Sequence, residues 1–121
     1  MSLPIASVVL YVKDIAKVAE FYTTHFGYVE EPGSLPGWLV LSAGEGCTIS
    51  LHQAAKSQKS GAAMKIVFAV RDVERFIAQR ARAGLKFGPI HQADGYVFSN
   101  AKDPAGNSIS VSDRKYRAAR D

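Results

Sequence analysis

Two short stretches, Val12-Lys13-Asp14-Ile15 and Val70-Arg71-Asp72-Val73, decide the fold of this chain. They lie 58 residues apart, and each stands between a run of apolar residues and a helical pattern of apolar residues. Aspartate is a preferred N-cap residue, because its carboxylate accepts a hydrogen bond from one of the first free N–H groups of a helix. Each stretch therefore predicts the end of a strand and the start of a helix.

The elements that follow the two stretches are the same in kind and order. An apolar helical stripe closes at Gly27 in the first half and at Gly84 in the second, since glycine readily adopts the left-handed conformation that ends helices. Three short strands are predicted after each helix, separated by Gly- and Pro-rich turns, at 28–31, 38–42 and 47–52 and then at 86–87, 96–99 and 108–112. The order βαβββ thus occurs twice.

Further sequence matches indicate a duplication. Gly37-Trp38 matches Gly95-Tyr96 at an offset of 58 residues, and Ile49-Ser50-Leu51 matches Ile109-Ser110-Val111 at an offset of 60. The predicted fold class is α+β, built from two βαβββ modules in one domain of residues 1–121. The predicted division is a first module at about 5–52, a linker at 53–63, a second module at about 64–112 and a basic tail at 113–121.

Length and composition limit the class of protein. A chain of 121 residues fits one compact domain, and 47% hydrophobic with 21% charged residues is typical of soluble globular proteins. The longest apolar run, Val8–Val12, has five residues, far short of the ~18 that a membrane span needs. The single Cys47 excludes an internal disulfide and a thiolate cluster. We expect a cytoplasmic protein with no membrane partner.

The charge distribution argues against a nucleic-acid partner. The net charge is +4; residues 61–121 carry eleven cations and six anions, whereas residues 1–60 carry four and five. The basic residues fall on a predicted surface helix and in the tail, and neither group interleaves with aromatic residues as in single-strand binders. We therefore expect a solvated basic face. A salt-dependent shift of a labelled oligonucleotide would contradict this expectation.

A set of motifs spread from Ile5 to Ser112 points to a known family. These motifs are Leu10-Tyr11-Val12-Lys13-Asp14-Ile15, Phe21-Tyr22, Phe26-Gly27, Phe68-Ala69-Val70-Arg71-Asp72-Val73 and Asp103-Pro104-Ala105-Gly106-Asn107. With them the chain resembles the vicinal-oxygen-chelate superfamily, which includes glyoxalase I, extradiol dioxygenases, fosfomycin-modifying enzymes and the bleomycin- and mitomycin-binding resistance proteins. The resemblance implies that curved mixed sheets of the two modules enclose a cleft, with the helices on the outer face, commonly near the interface of a homodimer.

In the enzymes that this chain resembles, the cleft holds a divalent metal on four side chains. The corresponding positions here are Ser7 and Lys65, on the first strand of each module, and Ser50 and Ser110, on the last strand. Neutral hydroxyls are poor ligands for zinc, nickel or hard cations, and a protonated lysine repels a dication. The resemblance thus implies a member without the metal ligands, and we expect no metal and no other cofactor.

Strand alternation predicts which side chains face the cleft, because successive side chains of a strand point to opposite faces. Trp38 and Tyr96 are taken as equivalent positions of the two modules. His52 is either a ligand contact or an ordinary strand-end histidine, and Lys65 either faces the cavity or extends into solvent. The candidate ligand-binding residues are Ser7, Tyr11, Trp38, Ser50, His52, Lys65, Tyr96, Phe98 and Ser110; no catalytic residue is assigned.

Two function classes remain open at this point. The first, which the missing ligands favour, is a metal-free small-molecule binding protein of the glyoxalase/bleomycin-resistance type that binds a planar neutral or anionic compound. The second is a glyoxalase- or dioxygenase-like metalloenzyme, a lyase or dioxygenase, with non-standard ligands such as His52 and His91. A homodimer is expected in either case, because open sheets leave apolar edges that a symmetric partner covers.

Overall fold

The computed structural model describes residues 7–57 and 64–117 of the chain. Residues 58–63, the larger part of the predicted linker, lie outside the described residues. The chain divides into two compact units, Met1–Ser60 and Gly61–Asp121. They are called the first unit and the second unit below.

The first unit is a four-stranded mixed sheet with one helix. Its strands are β1 (Ser7–Val12), β2 (Val29–Glu30), β3 (Trp38–Ser42) and β4 (Thr48–Gln53), and the helix α1 (Ile15–Phe26) follows β1. The strand order is β1-β4-β3-β2. The first strand pairs in parallel with the last, and the other two pairings are antiparallel.

The second unit repeats this topology. It contains β5 (Lys65–Ala69), α2 (Val73–Arg82), β6 (His91–Gln92), β7 (Val97–Lys102) and β8 (Ser108–Ser112), followed by a 3₁₀ helix at Arg114–Tyr116. The strand order is β5-β8-β7-β6, again with the first and last strands parallel. Two modules with βαβββ topology confirm the predicted α+β fold.

The two helices begin as the sequence predicts. The Asp14 carboxylate accepts a hydrogen bond of 3.0 Å from the Lys17 N–H, and the Asp72 carboxylate accepts one of 3.0 Å from the Arg75 N–H. Each aspartate therefore satisfies a backbone donor that the helix itself leaves free. In the described ranges, 7–57 and 64–117, no helix is long and apolar enough to cross a membrane.

The end of α2 shows why a glycine stands at position 84. Gly84 has φ of +96°, a conformation that strains any side chain with a Cβ. In this position the Gly84 N–H donates to the Ala81 carbonyl and the Leu85 N–H donates to the Arg80 carbonyl, the Schellman arrangement. Leu85 is 6% exposed, so the reversal of the chain also buries an apolar side chain.

One face of each sheet supplies the core of its unit, as strand alternation predicts. On β1, Leu10 and Val12 are buried, whereas Val9 is 39% and Tyr11 45% exposed. The same alternation runs along β5, where Lys65 is exposed and Ile66 is half-buried. The remaining core side chains are Val18, Ala19, Tyr22, Leu41, Ile49 and Leu51 in the first unit and Val73, Leu85, Ile109 and Val111 in the second.

One predicted strand is wrong. The pair Lys86-Phe87 is not a strand, and the short strand before β7 is His91–Gln92 instead. Pro89 stands between the two positions and has no N–H to donate to a strand ladder, so the chain reaches regular pairing only after it. His91, named above as a possible non-standard metal ligand, therefore belongs to a strand.

Candidate functional site

A cavity of about 220 Å³ lies on the sheet of the second unit, on the face opposite the buried Ile109 and Val111. It is called the cationic cavity below and is lined by Lys65, Val67, Tyr96, Phe98, Ser110, Ser112 and Arg114. Four of the nine predicted ligand-binding residues, Lys65, Tyr96, Phe98 and Ser110, thus line one space.

Contacts within the second unit hold the walls of this cavity. The Lys65 ammonium donates to Asn100 Oδ1 at 3.3 Å and lies 5.8 Å from the centre of the Phe98 ring. The buried Ser110 hydroxyl donates to the Ser99 carbonyl at 3.0 Å, so its proton is already used within the sheet. Lys65 therefore lies beside the aromatic wall, and Ser110 forms a polar floor.

Arg114, predicted from the sequence to lie in the basic tail, is a wall residue of the cationic cavity. Its guanidinium carbon lies 5.3 Å from the centre of the Tyr96 ring, and its backbone N–H donates to the Ser112 hydroxyl at 3.1 Å. The chain is not a free tail here, because it forms a 3₁₀ helix at Arg114–Tyr116 directly after β8. Residues 118–121, the rest of the predicted tail, lie outside the described residues.

A buried carboxylate fixes this C-terminal turn. Asp113 is only 2% exposed. Its carboxylate accepts a hydrogen bond of 3.0 Å from the Val97 N–H and forms an ion pair of 2.9 Å with the Arg117 guanidinium. Burial on its own raises the pKa of Asp113, but the Val97 N–H and the Arg117 charge together outweigh it and lower the pKa below its usual range. Asp113 thus stays ionised at neutral pH and ties the residue before Arg114 to β7.

The five predicted residues of the first unit share one face of their sheet. Tyr11 and His52 have ring centres 5.2 Å apart, and Trp38 and His52 have ring centres 5.5 Å apart. The Ser7 and Ser50 hydroxyls lie 3.3 Å from each other. This face of the first unit therefore carries a cluster of aromatic rings around His52 and, next to it, a pair of hydroxyls. None of the five residues is a Lys, Arg, Asp or Glu.

Trp38 also borders a second, smaller space that was not predicted from the sequence. Its volume is about 140 Å³, and it lies between β3 and the turn after β2, lined by Glu31, Pro32, Gly33, Ser34, Trp38 and Val40. The sequence signal nearest to it is the Pro32-Gly33 pair, which predicts a turn but not the space beside it.

The strand register corrects the predicted equivalence of Trp38 and Tyr96. Trp38 pairs with His52 in the first unit, whereas in the second unit Phe98 pairs with Ser112 and Tyr96 lies before β7. Phe98 is therefore the counterpart of Trp38, and the predicted match was wrong by two residues. A shift of two keeps a side chain on the same face, which is why the predicted face still held both aromatics.

The residues at the four predicted metal positions do not fit a metal. Ser7 and Ser50 contact each other, Ser110 donates to a backbone carbonyl, and Lys65 is a cation bound to an amide oxygen. Hydroxyls and an ammonium offer neither the imidazole or thiolate that zinc requires nor the carboxylates that hard cations require. Among residues 7–57 and 64–117 there is also no group of three or more His, Cys, Asp and Glu side chains that could hold a metal ion.

Solved structures share this fold at low sequence identity. Lactoylglutathione lyase from Agrobacterium tumefaciens has a TM-score of 0.74 at 20% identity, with 92% of this chain and 93% of that chain covered. TnmS3, an antibiotic binding protein from Streptomyces sp. CB03234, has a TM-score of 0.75 at 19% identity, with 92% and 96% covered. A glyoxalase/bleomycin resistance protein/dioxygenase family enzyme from Burkholderia phytofirmans PsJN has a TM-score of 0.77 at 19% identity, with 91% and 98% covered.

The family follows from the sequence itself rather than from these structures. A comparison with curated protein sequences gives no significant match. The family model described as Glyoxalase/Bleomycin resistance protein/Dioxygenase superfamily matches residues 5–111, which is most of the chain. The chain belongs to the Glyoxalase/Bleomycin resistance protein/Dioxygenase superfamily.

Proposed function

We propose that this protein binds a small planar organic molecule in the cationic cavity and does so without a metal ion. The observation that supports the proposal is the meeting of Tyr96, Phe98 and Lys65 around one open space in the second unit. Concave sites with aromatic walls and a few polar groups are typical of small-molecule binding. The aromatic group of Tyr11, Trp38 and His52 gives the first unit a similar surface for a flat ligand.

The chemistry of the donor set distinguishes this proposal from a metalloenzyme. Serine at three of the four metal positions and lysine at the fourth leave a bound substrate without a Lewis acid. Among the relatives in fold, one is described as an antibiotic binding protein and another as a lyase, so the fold is compatible with both classes. For this chain, the residues in the site favour binding.

Two measurements test the proposal. The first is the metal content of the purified protein. The second is the binding of a panel of neutral planar aromatic compounds, detected as a rise in the melting temperature. We expect less than roughly one tenth of a metal ion per chain and no effect of EDTA on the melting temperature, since the four metal positions carry three serines and a lysine. Phe98→Leu should weaken binding about two- to tenfold, the value of one aromatic contact. The matched control is Phe87→Leu, which removes a ring that packs on Phe76 and does not line the cavity.

Any of three results would overturn the proposal. Stoichiometric Zn, Ni, Fe or Mn that EDTA removes with loss of stability would support the metalloenzyme class. Equal effects of Phe98→Leu and Phe87→Leu on every ligand that binds, or no binding by any of the panel, would place the binding site elsewhere or remove it.

We also propose a homodimer in the cytoplasm. The edge strand β2 carries Val29, which is 63% exposed, and unpaired edges of this kind are commonly covered in native proteins. Light scattering on a size-exclusion column should give twice the chain mass of 13.1 kDa. A mass equal to that of one chain at micromolar concentration would reject the dimer.

A further inference from the structure

The cationic cavity has an unbalanced charge. Of the side chains that line it, Lys65 and Arg114 are cations, and none of the described lining residues is acidic. Within residues 7–57 and 64–117, neither Lys65 nor Arg114 takes part in an ion pair. Two positive charges at the edge of one concave space attract an anion and oppose a cation.

The fold holds the second of these cations in place. Asp113, immediately before Arg114, is bound to the Val97 N–H, and the Ser112 hydroxyl accepts the Arg114 N–H. On the other side of the 3₁₀ helix, the Arg71 guanidinium carbon lies 4.1 Å from the centre of the Tyr116 ring. The backbone of Arg114 is therefore anchored on both sides, which lowers the entropy that a ligand has to remove when it binds there.

Each cation lies next to an aromatic ring of the same cavity. The Lys65 ammonium is 5.8 Å from the Phe98 centre, and the Arg114 guanidinium is 5.3 Å from the Tyr96 centre. A molecule that carries an acid group on a flat ring can place the ring on Phe98 or Tyr96 and the acid group within reach of an ammonium or guanidinium. The planar guanidinium suits a carboxylate in particular, because its N–H groups match the two oxygens.

The volume of the cavity limits the size of the ligand part that it accepts. At about 220 Å³ it is smaller than the roughly 300–1,000 Å³ of pockets for drug-sized molecules. One or two fused rings with their acid group are of this order.

We propose that the cationic cavity selects planar aromatic acids, with Lys65 and Arg114 binding the carboxylate and Phe98 and Tyr96 binding the ring. This inference rests on the proposed small-molecule function and names its ligand class. Lys65 and Arg114 are the specificity-determining residues, and Asp113 is a positioning residue for Arg114.

The test compares 2-naphthoate with its neutral amide, 2-naphthamide, by isothermal titration on the full chain. Wild-type protein should bind the acid more tightly than the amide. Lys65→Met and Arg114→Met should each weaken binding of the acid about three- to tenfold, since both charges are exposed and partly screened. The same variants should change the affinity for the amide less than about twofold, because the amide carries no charge for either cation to attract.

Matched controls remove the same kinds of charge outside the cavity. Lys86→Met and Arg75→Met take one cation each from exposed positions of the second unit that do not line the cavity. They should leave both affinities unchanged. Raising the salt from about 0.05 M to about 0.5 M should weaken binding of the acid and leave the amide unaffected, because screening acts on the charge only.

The outcomes separate the inference from the function on which it rests. If acid and amide bind equally well, or if the two controls weaken the acid as much as Lys65→Met and Arg114→Met do, the inference is wrong and the proposed function stands. If neither the acid nor the amide binds, the inference and the proposed function are both contradicted for planar aromatic ligands. A melting temperature measured for each variant shows that a loss of binding is not a loss of folding.

Discussion

Each sheet has one face that carries the core of its unit and an opposite face, called the open face below. The first unit presents hydroxyl, aromatic and histidine side chains on its open face, whereas the second unit presents two cations on the corresponding side. Ser7 begins β1 where Lys65 begins β5, and Trp38 occupies the place of Phe98. The positions that define the backbone have not diverged in this way. Asp14 and Asp72 still cap both helices with the same 3.0 Å hydrogen bond.

This difference shows that the residues required by the fold and the residues required by the site are constrained separately in the two units. A cap, a left-handed glycine or a core position has few acceptable residues, because a change costs stability directly. A side chain on the open face has no such constraint and can change with the ligand. The two copies can therefore be compared position by position, and the following changes test where they are the same and where they differ.

The largest difference in stability is expected between the turns that precede the last strands. In the second unit the buried Asp103 carboxylate accepts hydrogen bonds from the Ala105 N–H, the Asn107 N–H and the Asn107 side-chain amide. Asp103→Ala should lower the free energy of unfolding by about 2–4 kcal/mol, because buried donors lose their acceptor. Glu45→Ala, in the exposed turn of the first unit, should change it by less than about 0.5 kcal/mol.

Urea unfolding of both variants measures this contrast. Comparable midpoints for the two would mean that the Asp103 network adds nothing beyond an ordinary turn. Glu45→Ala is the matched control, since it removes an acidic side chain from the corresponding turn.

A second difference concerns pH, at the C-terminal end of the last strand of each unit, where Gln53 is the last residue of β4 and Asp113 comes directly after β8. Asp113 donates its N–H to the Val97 carbonyl, as Gln53 does to the Gly37 carbonyl, but only Asp113 ionises. Since the pKa of Asp113 is lowered on folding, its stabilisation is complete above the unfolded pKa of about 3.9 and is lost as the pH falls through the lower folded value. Asp113→Asn should cost about 1–3 kcal/mol at pH 7.

The pH dependence of the variants checks this assignment. Asp113→Asn should be less acid-sensitive than the wild type below about pH 4, where the ordinary carboxylate begins to take up a proton. Gln53→Ala should lose a pH-independent amount, since the hydrogen bonds from its amide to the Lys13 and Val12 carbonyls involve no titrating group. If the stability of the wild type and that of Asp113→Asn fell equally steeply as the pH is lowered below about 4, another carboxylate would control the acid transition.

The smallest effect, and the one that should be equal in both units, is the loss of a helix cap. Asp14→Ala and Asp72→Ala should each lower the free energy of unfolding by about 1 kcal/mol, the usual value of an N-cap carboxylate. The two losses should add in the double variant to within about 0.5 kcal/mol, because the two caps share no hydrogen-bond partner. A loss in one unit only, measured by urea unfolding, would break the equivalence of the two copies.

Local rules explain what could be predicted from the sequence. Caps at Asp14 and Asp72 and the alternation of β1 depend on neighbouring residues, so the pattern alone predicted them correctly. Alternation also placed Lys65 and Phe98 on the face that carries the cavity.

Pairing between distant residues explains what could not be predicted. Arg114 reaches the cavity because Asp113 bonds to Val97, sixteen residues earlier, and a run of basic residues gives no sign of such a partner. The match of Trp38 with Tyr96 was wrong for a related reason, since the register of β7 against β8 decides that Phe98 is the counterpart. The short strand before β7 lies beyond Pro89, where pairing with Val97 and Phe98 determines its place.

The parallel pairing of the first and last strands has a consequence for rearranging the chain. In the first unit Ser7 lies beside Thr48 and Val12 beside Gln53, so the end of β4 is next to the end of β1 and a full strand length from its start. That length is about 20 Å for six residues at ~3.3 Å each. A circular permutant of the first unit alone, in which Gln53 is joined to Ser7, needs a connector of at least about six extended residues. If the first and last strands were antiparallel, a two-residue turn would be enough to join them.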